Sequence, residues 1–219
     1  MEKWAFIEKN IIVPILKDEV PEGSQRTRRY TSNLLISWWN NAQRRLSSMR
    51  PIEKHIQFDL TSNEISVPKQ HYRPRKLLVK GGGGAGELRY VSIEDTWLAD
   101  QSSPAYYIYE DKINLVAYNI VKGSRALYFY DAYFPTIENE NTRVFVPEWA
   151  WEACAIYVAM QAVTREAMDT SRFNKYKSKT DSGNPEQNPF LPVAQWLEKR
   201  FNDLVVAHSD DHLTAYKRG

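Results

Sequence analysis

The sequence predicts an α+β protein: an α-helical bundle from the N- and C-terminal segments, with an inserted antiparallel β-sandwich or barrel. Three observations carry this prediction: a nearly all-apolar helical segment at 146–169, a second helical segment at 31–49, and alternation of apolar and polar residues between them. The predicted domains are a helical domain at 1–51 and 147–208, a β domain at 52–146, and a C-terminal tail at 209–219.

The strongest helical signal is the segment VPEWAWEACAIYVAMQAVTREAMD at 146–169. Its apolar residues recur every three or four positions, as expected for one helical stripe: Trp149, Ala153, Ile156, Met160, Val163 and Ala167. Between Trp149 and Val163 only Glu152 and Gln161 are polar, so we expect a helix buried on nearly all sides. Pro147 suits the first helical position, where its missing N–H costs nothing. The run is too short and too interrupted to span a bilayer.

Three further helices are expected to pack against this segment. Apolar residues at helical spacing predict an N-terminal helix within 2–17, and Pro14 should kink or end it. A second helix is predicted from Thr31 to Met49, with Thr31 or Ser32 as its N-cap. A last amphipathic helix is predicted around 193–204.

The middle of the chain shows the two-residue period of β-strands. Ile56, Phe58 and Leu60 alternate with polar residues, and after a turn at 61–63 the alternation resumes at Ile65 and Val67, which predicts a hairpin. Further strands are predicted at 77–79, 88–93, 106–109, 112–118 and 126–134, with one helical turn at 95–98. The glycine-rich segment 81–86 is expected to be a flexible connection.

Composition limits the class of protein. Hydrophobic residues make up 42% of the chain, enough for a core, and the only cysteine is Cys154 on the buried helix. This excludes a disulfide framework and a cysteine-based metal site, and it fits a reducing cytoplasm. The N-terminal residues lack the apolar core of a signal peptide, and nothing in the sequence indicates a membrane protein.

The charge distribution is uneven although the net charge is only +2. Residues 1–80 hold 15 Lys/Arg and 8 Asp/Glu, a net charge of +7, whereas residues 81–170 hold 6 and 13, a net charge of −7. The distribution favours opposite charges on opposite faces, suited to head-to-tail packing of copies, with chance unevenness as the alternative.

No catalytic, cofactor or metal site is predicted. His208 and His212 flank two aspartates, but no helix is expected there to fix the geometry of a metal site. The segment GGGGAG lacks the Gly-Lys-Ser/Thr of a phosphate loop, and Cys154 has no neighbouring base. Two basic clusters are candidates for DNA-facing or subunit-interface residues, with an ordinary solvated surface as the alternative: Arg26, Arg28 and Arg29, and Arg73, Arg75 and Lys76.

The order of several segments is recognisable: ISWWNNAQRRL, NEISVP, PAYYIYEDKINLVAY, ALYFYDAYFP and VFVPEWAWEACAIYVAMQAV. Over about 27–170 this order resembles the head-to-tail adaptor (connector) proteins of tailed phages, and it is similar to the tail tubular proteins of short-tailed viruses. The resemblance implies a ring, a dodecamer, beneath the portal in the virion neck, assembled in the host cytoplasm. Its implied partners are the portal protein, a tail or nozzle protein, and genomic DNA that crosses the lumen without sequence specificity during ejection.

The resemblance also gives the C-terminal segment a role, since that segment commonly reaches the portal in this family. It makes Tyr216, Lys217 and Arg218 candidate portal-docking residues. The polar segments 170–191 and 209–219 are expected to order only on assembly, anchored by Phe173, Tyr176, Phe190 and Tyr216. Two other classes stay open: a ligand- or carbohydrate-binding β-sandwich with helical flanks, and a hydrolase whose catalytic residues are distant in sequence.

Overall fold

The computed structural model describes residues 1–21, 27–81, 84–168 and 190–208, and it confirms a mixed α+β protein. The chain divides into two compact units. The first, here called the helical unit, comprises Met1–Arg50 and Phe134–Gly219, and the second, the sheet unit, comprises Pro51–Tyr133. Residues 134–146 therefore group with the helices, whereas the sequence prediction placed them with the strands.

The N-terminal helix changes its hydrogen-bond spacing part of the way along. It consists of α1 (Trp4–Ile7), a π-helical turn (Glu8–Ile12) and α2 (Val13–Leu16). Pro14 lies in the first turn of α2, where the absence of its N–H is tolerated. Pro14 does not end the helix, which continues through α2 to Leu16, and the C-cap residue Lys17 has a left-handed φ of 52°.

Helix α3 (Ser32–Met49) confirms the second predicted helix, with Thr31 as its N-cap residue. It buries one face, including Leu35, Trp39, Ala42 and Leu46. The Trp39 ring contacts the ring of Trp4 edge to face, with 5.5 Å between centroids, which joins α3 to the N-terminal helix.

Helix α4 (Trp151–Met168) is the predicted core helix, and it contacts the N-terminal helix, α3 and α5 (Phe190–Ala207). Pro147 caps the short 3₁₀ turn Glu148–Ala150 that precedes α4, so it lies just before the first helical position. The predicted stripe is only partly right, because Trp149, Met160 and Val163 are half-buried. The buried positions are mostly small residues: Ala150, Ala153, Cys154, Ala155, Val158, Ala159 and Ala162. Small side chains let neighbouring helices approach closely, which leaves the large ones at the margins.

The sheet unit contains one seven-stranded sheet. Its strands are β1 (Ile52–Asp59), β2 (Glu64–Ser66), β3 (His71–Gly81), β4 (Gly84–Tyr90), β5 (Ala105–Tyr109), β6 (Lys112–Val116) and β7 (Arg125–Ala132). The strand order is β1-β7-β3-β4-β5-β6-β2. A 3₁₀ helix (Ile93–Leu98) connects β4 to β5 and confirms the predicted helical turn.

Three details of the predicted β domain are wrong. Strands β1 and β2 do not form a hairpin, because β1 pairs with β7 and β2 with β6 at the opposite edge of the sheet. The sheet is not wholly antiparallel, since β4 and β5 run parallel. The expected flexible glycine segment instead contributes to the antiparallel β3–β4 pair, in which Lys80 faces Ala85 and Gly81 faces Gly84. Glycine lowers strand propensity, but backbone pairing between adjacent strands outweighs it here.

The two faces of the β1-β7-β3-β4 region differ in exposure. One face carries buried side chains, among them Leu77, Val79, Leu88 and Tyr128. The other, here called the open face, carries charged and half-buried side chains. One row across it runs from Gln57 through Leu127 and Leu78 to Glu87. This open face carries most of the charged residues considered below.

Candidate functional site

Several predicted site residues lie outside the part of the chain that the structure describes. These are Arg26 and the portal-docking candidates Tyr216, Lys217 and Arg218, together with the proposed anchors Phe173 and Tyr176. Phe190 begins α5, and nothing is described of its side chain. The remaining candidates, Arg28, Arg29, Arg73, Arg75 and Lys76, are placed and fall into two groups.

Arg28 belongs to a buried network around Glu8. The Glu8 carboxylate accepts hydrogen bonds from the Trp4 indole Nε1 at 2.8 Å, from the Ser32 hydroxyl at 2.6 Å, and from the Arg28 guanidinium. Glu8 is only 5% exposed, so these donors replace the water that an ionised carboxylate otherwise requires. The network joins the N-terminal helix, the segment before α3, and the first turn of α3.

Arg29 joins the same segment to α4. Its guanidinium pairs with Glu166, and the Tyr30 hydroxyl donates to the same carboxylate at 2.6 Å. Burial, together with this hydrogen bond, raises the pKa of Tyr30 to about 12. The backbone N–H groups of Arg29 and Tyr30 donate to the Asp18 carboxylate at 2.8 and 3.1 Å. Both described arginines of the first basic cluster therefore make ion pairs that hold the helical unit together.

Arg73 and Arg75 meet at one buried acid at the end of the open face. Both guanidinium Nε atoms donate to Asp131, one to each carboxylate oxygen, and Asp131 is fully buried. Arg75 also pairs with Glu53 at 2.7 Å. The hydrogen bond to Asp131 is the main cause that raises the pKa of Arg73. The arginine side chains are 57% and 41% exposed, so their charges face solvent although their partner does not.

Lys76 is also paired, at 2.8 Å from Glu87 across the open face. The second basic cluster is thus interleaved with acids: Asp131, Glu53 and Glu87 lie against Arg73, Arg75 and Lys76. Such a surface is close to neutral, which favours contact with another protein over contact with a phosphate backbone.

A groove of about 490 Å³ lies on the open face. Its lining includes the apolar residues Leu78 and Leu127, with Lys80, Arg125 and Glu87 around them. Arg125 is paired with the largely exposed Asp59 at 3.2 Å. The volume falls within the range of pockets that accept a side chain or a small ligand.

A group of exposed apolar side chains lies at the end of β4 and in the connection from β4 to β5. We call Tyr90, Ile93, Trp97 and Leu98 the Trp97 patch; each is at least 45% exposed, and Trp97 is 77% exposed. The sequence indicated a helical turn here but gave no function to it. The sequence feature that could have indicated a function is the pair Trp97 and Leu98 in a short acidic turn. Large apolar residues that are exposed together often mark a surface that binds another molecule.

The described residues do not bring together a catalytic set. His71 lies 2.7 Å from the Tyr128 hydroxyl and packs against the rings of Tyr128 and Tyr130, and burial lowers its pKa. Cys154 is fully buried, and burial raises the pKa of its thiol. Within the described ranges, no three acidic, histidine or cysteine side chains are placed to hold a metal ion. No helix in those ranges is long and apolar enough to cross a membrane.

Comparison with known proteins gives one extensive and one partial match. Residues 14–188 match the family described as SU10 adaptor protein. An alignment over 106 residues is 29% identical to NADH-cytochrome b5 reductase 2 of Candida glabrata. The alignment covers 37% of this chain and 34% of the reductase, so the chain spans about a third of that curated relative. The family match covers most of the chain: all of the sheet unit and the part of the helical unit that lies within 14–188.

Proposed function

Because the chain belongs to the SU10 adaptor protein family and is a structural adaptor of a phage virion, we propose that it is the head-to-tail adaptor of the neck. In this proposal the copies form a ring, a dodecamer, beneath the portal protein. The ring continues the DNA channel, joins the capsid to the tail or nozzle protein, and passes the genome during ejection. The family match over residues 14–188 is the observation that carries the proposal.

The architecture supports this role. We propose that the helices of the helical unit act as a bundle around α4, because α4 contacts the N-terminal helix, α3 and α5. The sheet unit, which is inserted in the sequence between the two segments of the helical unit, would then offer its open charged face to another molecule. A ring requires heterologous contacts, in which two different surfaces of each copy meet.

The described basic residues support a contact role more than a DNA role. Arg28 and Arg29 are engaged with Glu8 and Glu166 inside the helical unit. Arg73, Arg75 and Lys76 are balanced by nearby acids on the open face. We therefore propose Arg73, Arg75 and Lys76 as subunit-interface residues, and Tyr216, Lys217 and Arg218 as portal-docking residues.

The proposal is tested by the mass of the purified protein, measured with and without portal particles. A ring, formed alone or on the portal, is the expected result. Neck particles should lose this ring, and the tail, when the adaptor is omitted from assembly. A protein that stays monomeric and fails to bind portal particles would contradict the proposal.

The docking role of the C-terminal segment has its own test. Deletion of residues 209–219 should weaken portal attachment while leaving the melting temperature unchanged, because the deleted segment follows α5. The matched variant Tyr216→Ala with Lys217→Ala and Arg218→Ala should show the same loss. If either variant binds portal as well as the full chain, the docking role is wrong.

A further inference from the structure

The Trp97 patch has the composition of an interface anchor. A tryptophan that is 77% exposed leaves a large apolar area in water, and three more apolar side chains lie within seven residues of it. Buried tryptophans are the commonest energetic anchors of protein interfaces. The patch therefore indicates a surface that another molecule covers.

Local hydrogen bonds hold the patch in one shape. Ser92 caps the 3₁₀ helix, since its hydroxyl accepts from the backbone N–H of Asp95 at 3.2 Å. The Thr96 hydroxyl donates to the Ile93 carbonyl at 2.9 Å. Beyond the helix, Asp100 accepts from the N–H groups of Ser102 and Ser103. A pre-formed surface loses little conformational entropy on binding, which favours its use in assembly.

The charge around the patch restricts its partner. Residues 89–103 contain three acids, Glu94, Asp95 and Asp100, and one cation, Arg89, whose charge acts on Asp100, so the acids are in excess. A partner surface should therefore present an apolar depression with cations at its border.

The groove on the open face of the same sheet unit has these properties. Leu78 and Leu127 line it, and Lys80 and Arg125 stand at its side. Glu87, the acid in the lining, is already paired with Lys76. Its volume of about 490 Å³ suits a bulky aromatic side chain.

We propose that the Trp97 patch of one copy docks into the open-face groove of the next copy. The two surfaces are different and lie on the same unit, so the contact is heterologous and can repeat around a closed ring. Trp97 would cover Leu78 and Leu127, and Glu94 would approach Lys80. This inference rests on the proposed ring and identifies the contact that forms it.

Charge reversal tests the contact in the full-length protein. Glu94→Lys and Lys80→Glu should each weaken self-association, measured by sedimentation or native mass under the conditions in which the wild type assembles. The double variant carrying both changes should recover assembly, because the charges again oppose each other. Both side chains are exposed, so neither change should disturb folding. Two single variants that assemble as well as the wild type would overturn the proposal.

Removal of the Trp97 side chain should weaken self-association more than either charge reversal does. Trp97→Ala should weaken self-association about tenfold or more, as expected for a hot-spot aromatic. Trp196→Ala, which removes a tryptophan that is also largely exposed but lies on α5, is the matched control and should change association less than twofold. Equal losses for the two variants would show general surface stickiness and would contradict the proposed contact.

Cysteine cross-linking tests the proposed contact independently of whether the protein forms a ring. The native Cys154 is fully buried, so introduced thiols react selectively. A mixture of a Gln101→Cys variant, altered at an exposed position beside the patch so that Trp97 is kept, and a Gln57→Cys variant, treated with a short bismaleimide, should give covalent dimers. A Ser66→Cys variant, altered at an exposed position on β2, should not cross-link to Gln57→Cys. A wild-type ring without the specific cross-link would overturn this contact and leave the proposed function standing, whereas no ring with or without portal would overturn both.

Discussion

Each compact unit buries one acidic side chain among the described residues, and the two acids differ in what surrounds them. Glu8 in the helical unit accepts from the fully buried Trp4 indole, from the half-buried Ser32 hydroxyl, and from Arg28, whose side chain is 41% exposed. Asp131 in the sheet unit accepts from Arg73 and Arg75, whose side chains are about half exposed. Loss of Glu8 would leave the buried indole N–H of Trp4 without its carboxylate acceptor, whereas loss of Asp131 would leave only arginines that water can solvate. Glu8 therefore holds a core together, and Asp131 arranges charges on a surface.

The largest effect is expected for Glu8→Ala. It should lower the free energy of unfolding of the helical unit by about 3 kcal/mol, because it removes a buried carboxylate with several partners. Tryptophan fluorescence during denaturant unfolding is a suitable measurement, since every tryptophan except Trp97 belongs to this unit. The exposed Glu19→Ala is the control and should change stability by less than about 0.5 kcal/mol. A similarly small change for Glu8→Ala would show that its network contributes nothing.

Asp131→Ala should have a smaller effect in the sheet unit, about 1–2 kcal/mol, because the arginines it leaves are exposed. Hydrogen exchange of β3 and β7 amides measures this locally, which matters because two units need not unfold together. Asp59→Ala removes a largely exposed acid from the same face and should cost less. If Asp131→Ala lowers stability as much as Glu8→Ala does, the exposure of the hydrogen-bond donors does not determine how much a buried acid contributes to stability.

Salt should distinguish the two networks further. Raising the salt concentration should weaken the contribution of Asp131 more than that of Glu8, because both partners of Asp131 are exposed arginines, whereas Glu8 has one exposed arginine and two neutral donors. The difference between wild type and each alanine variant, measured at low and high salt, isolates the effect. The expected change is below about 1 kcal/mol for Asp131, as for other pairs near the surface. An equal salt dependence for both variants would remove the distinction between core and surface roles.

The helices were the most predictable part of the fold, because their signals are local. The helix predicted from Thr31 to Met49, with Thr31 or Ser32 as its N-cap, matches α3 to within one residue at its start. The order of the strands could not be predicted in the same way. The alternation in β1 suits any partner, and β7, which pairs with it, lies more than sixty residues away. A local turn at 61–63 therefore predicted a hairpin that long-range pairing excludes.

The candidate surfaces were predictable only in part, because side-chain partners depend on tertiary structure. The basic residues were recognised, but their acids were not, since Glu8 and Asp131 stand inside apolar segments far from the arginines in sequence. An acid within an apolar helix or an aromatic strand was the available signal, because such a group must be satisfied when it is buried. The groove has no linear signal, as it forms from β1, β3, β4 and β7.

The smallest expected effect concerns His71, which is half-buried in the sheet unit next to Tyr128. Burial lowers its pKa below the ordinary 6.5, while the charges of Asp111 and Asp131 act in the opposite direction. Well above pH 6.5 the histidine is neutral in both the folded and the unfolded state. As the pH falls below 6.5, the unfolded chain takes up a proton that the folded chain does not, so the sheet unit should lose stability toward the lowered pKa. His71→Gln should remove this part of the pH dependence, measured by hydrogen exchange of the sheet.

The pKa of His71 also depends on Asp131, the buried acid of the sheet unit. Because the charge of Asp131 raises the pKa of His71, Asp131→Ala should lower it further, and Glu8→Ala should leave it unchanged. An NMR titration of the His71 ring in the three proteins measures both shifts directly. A His71 pKa that moves in neither variant would mean that solvent screens Asp131 fully, and its burial would then have no electrostatic consequence beyond the two arginines that it binds.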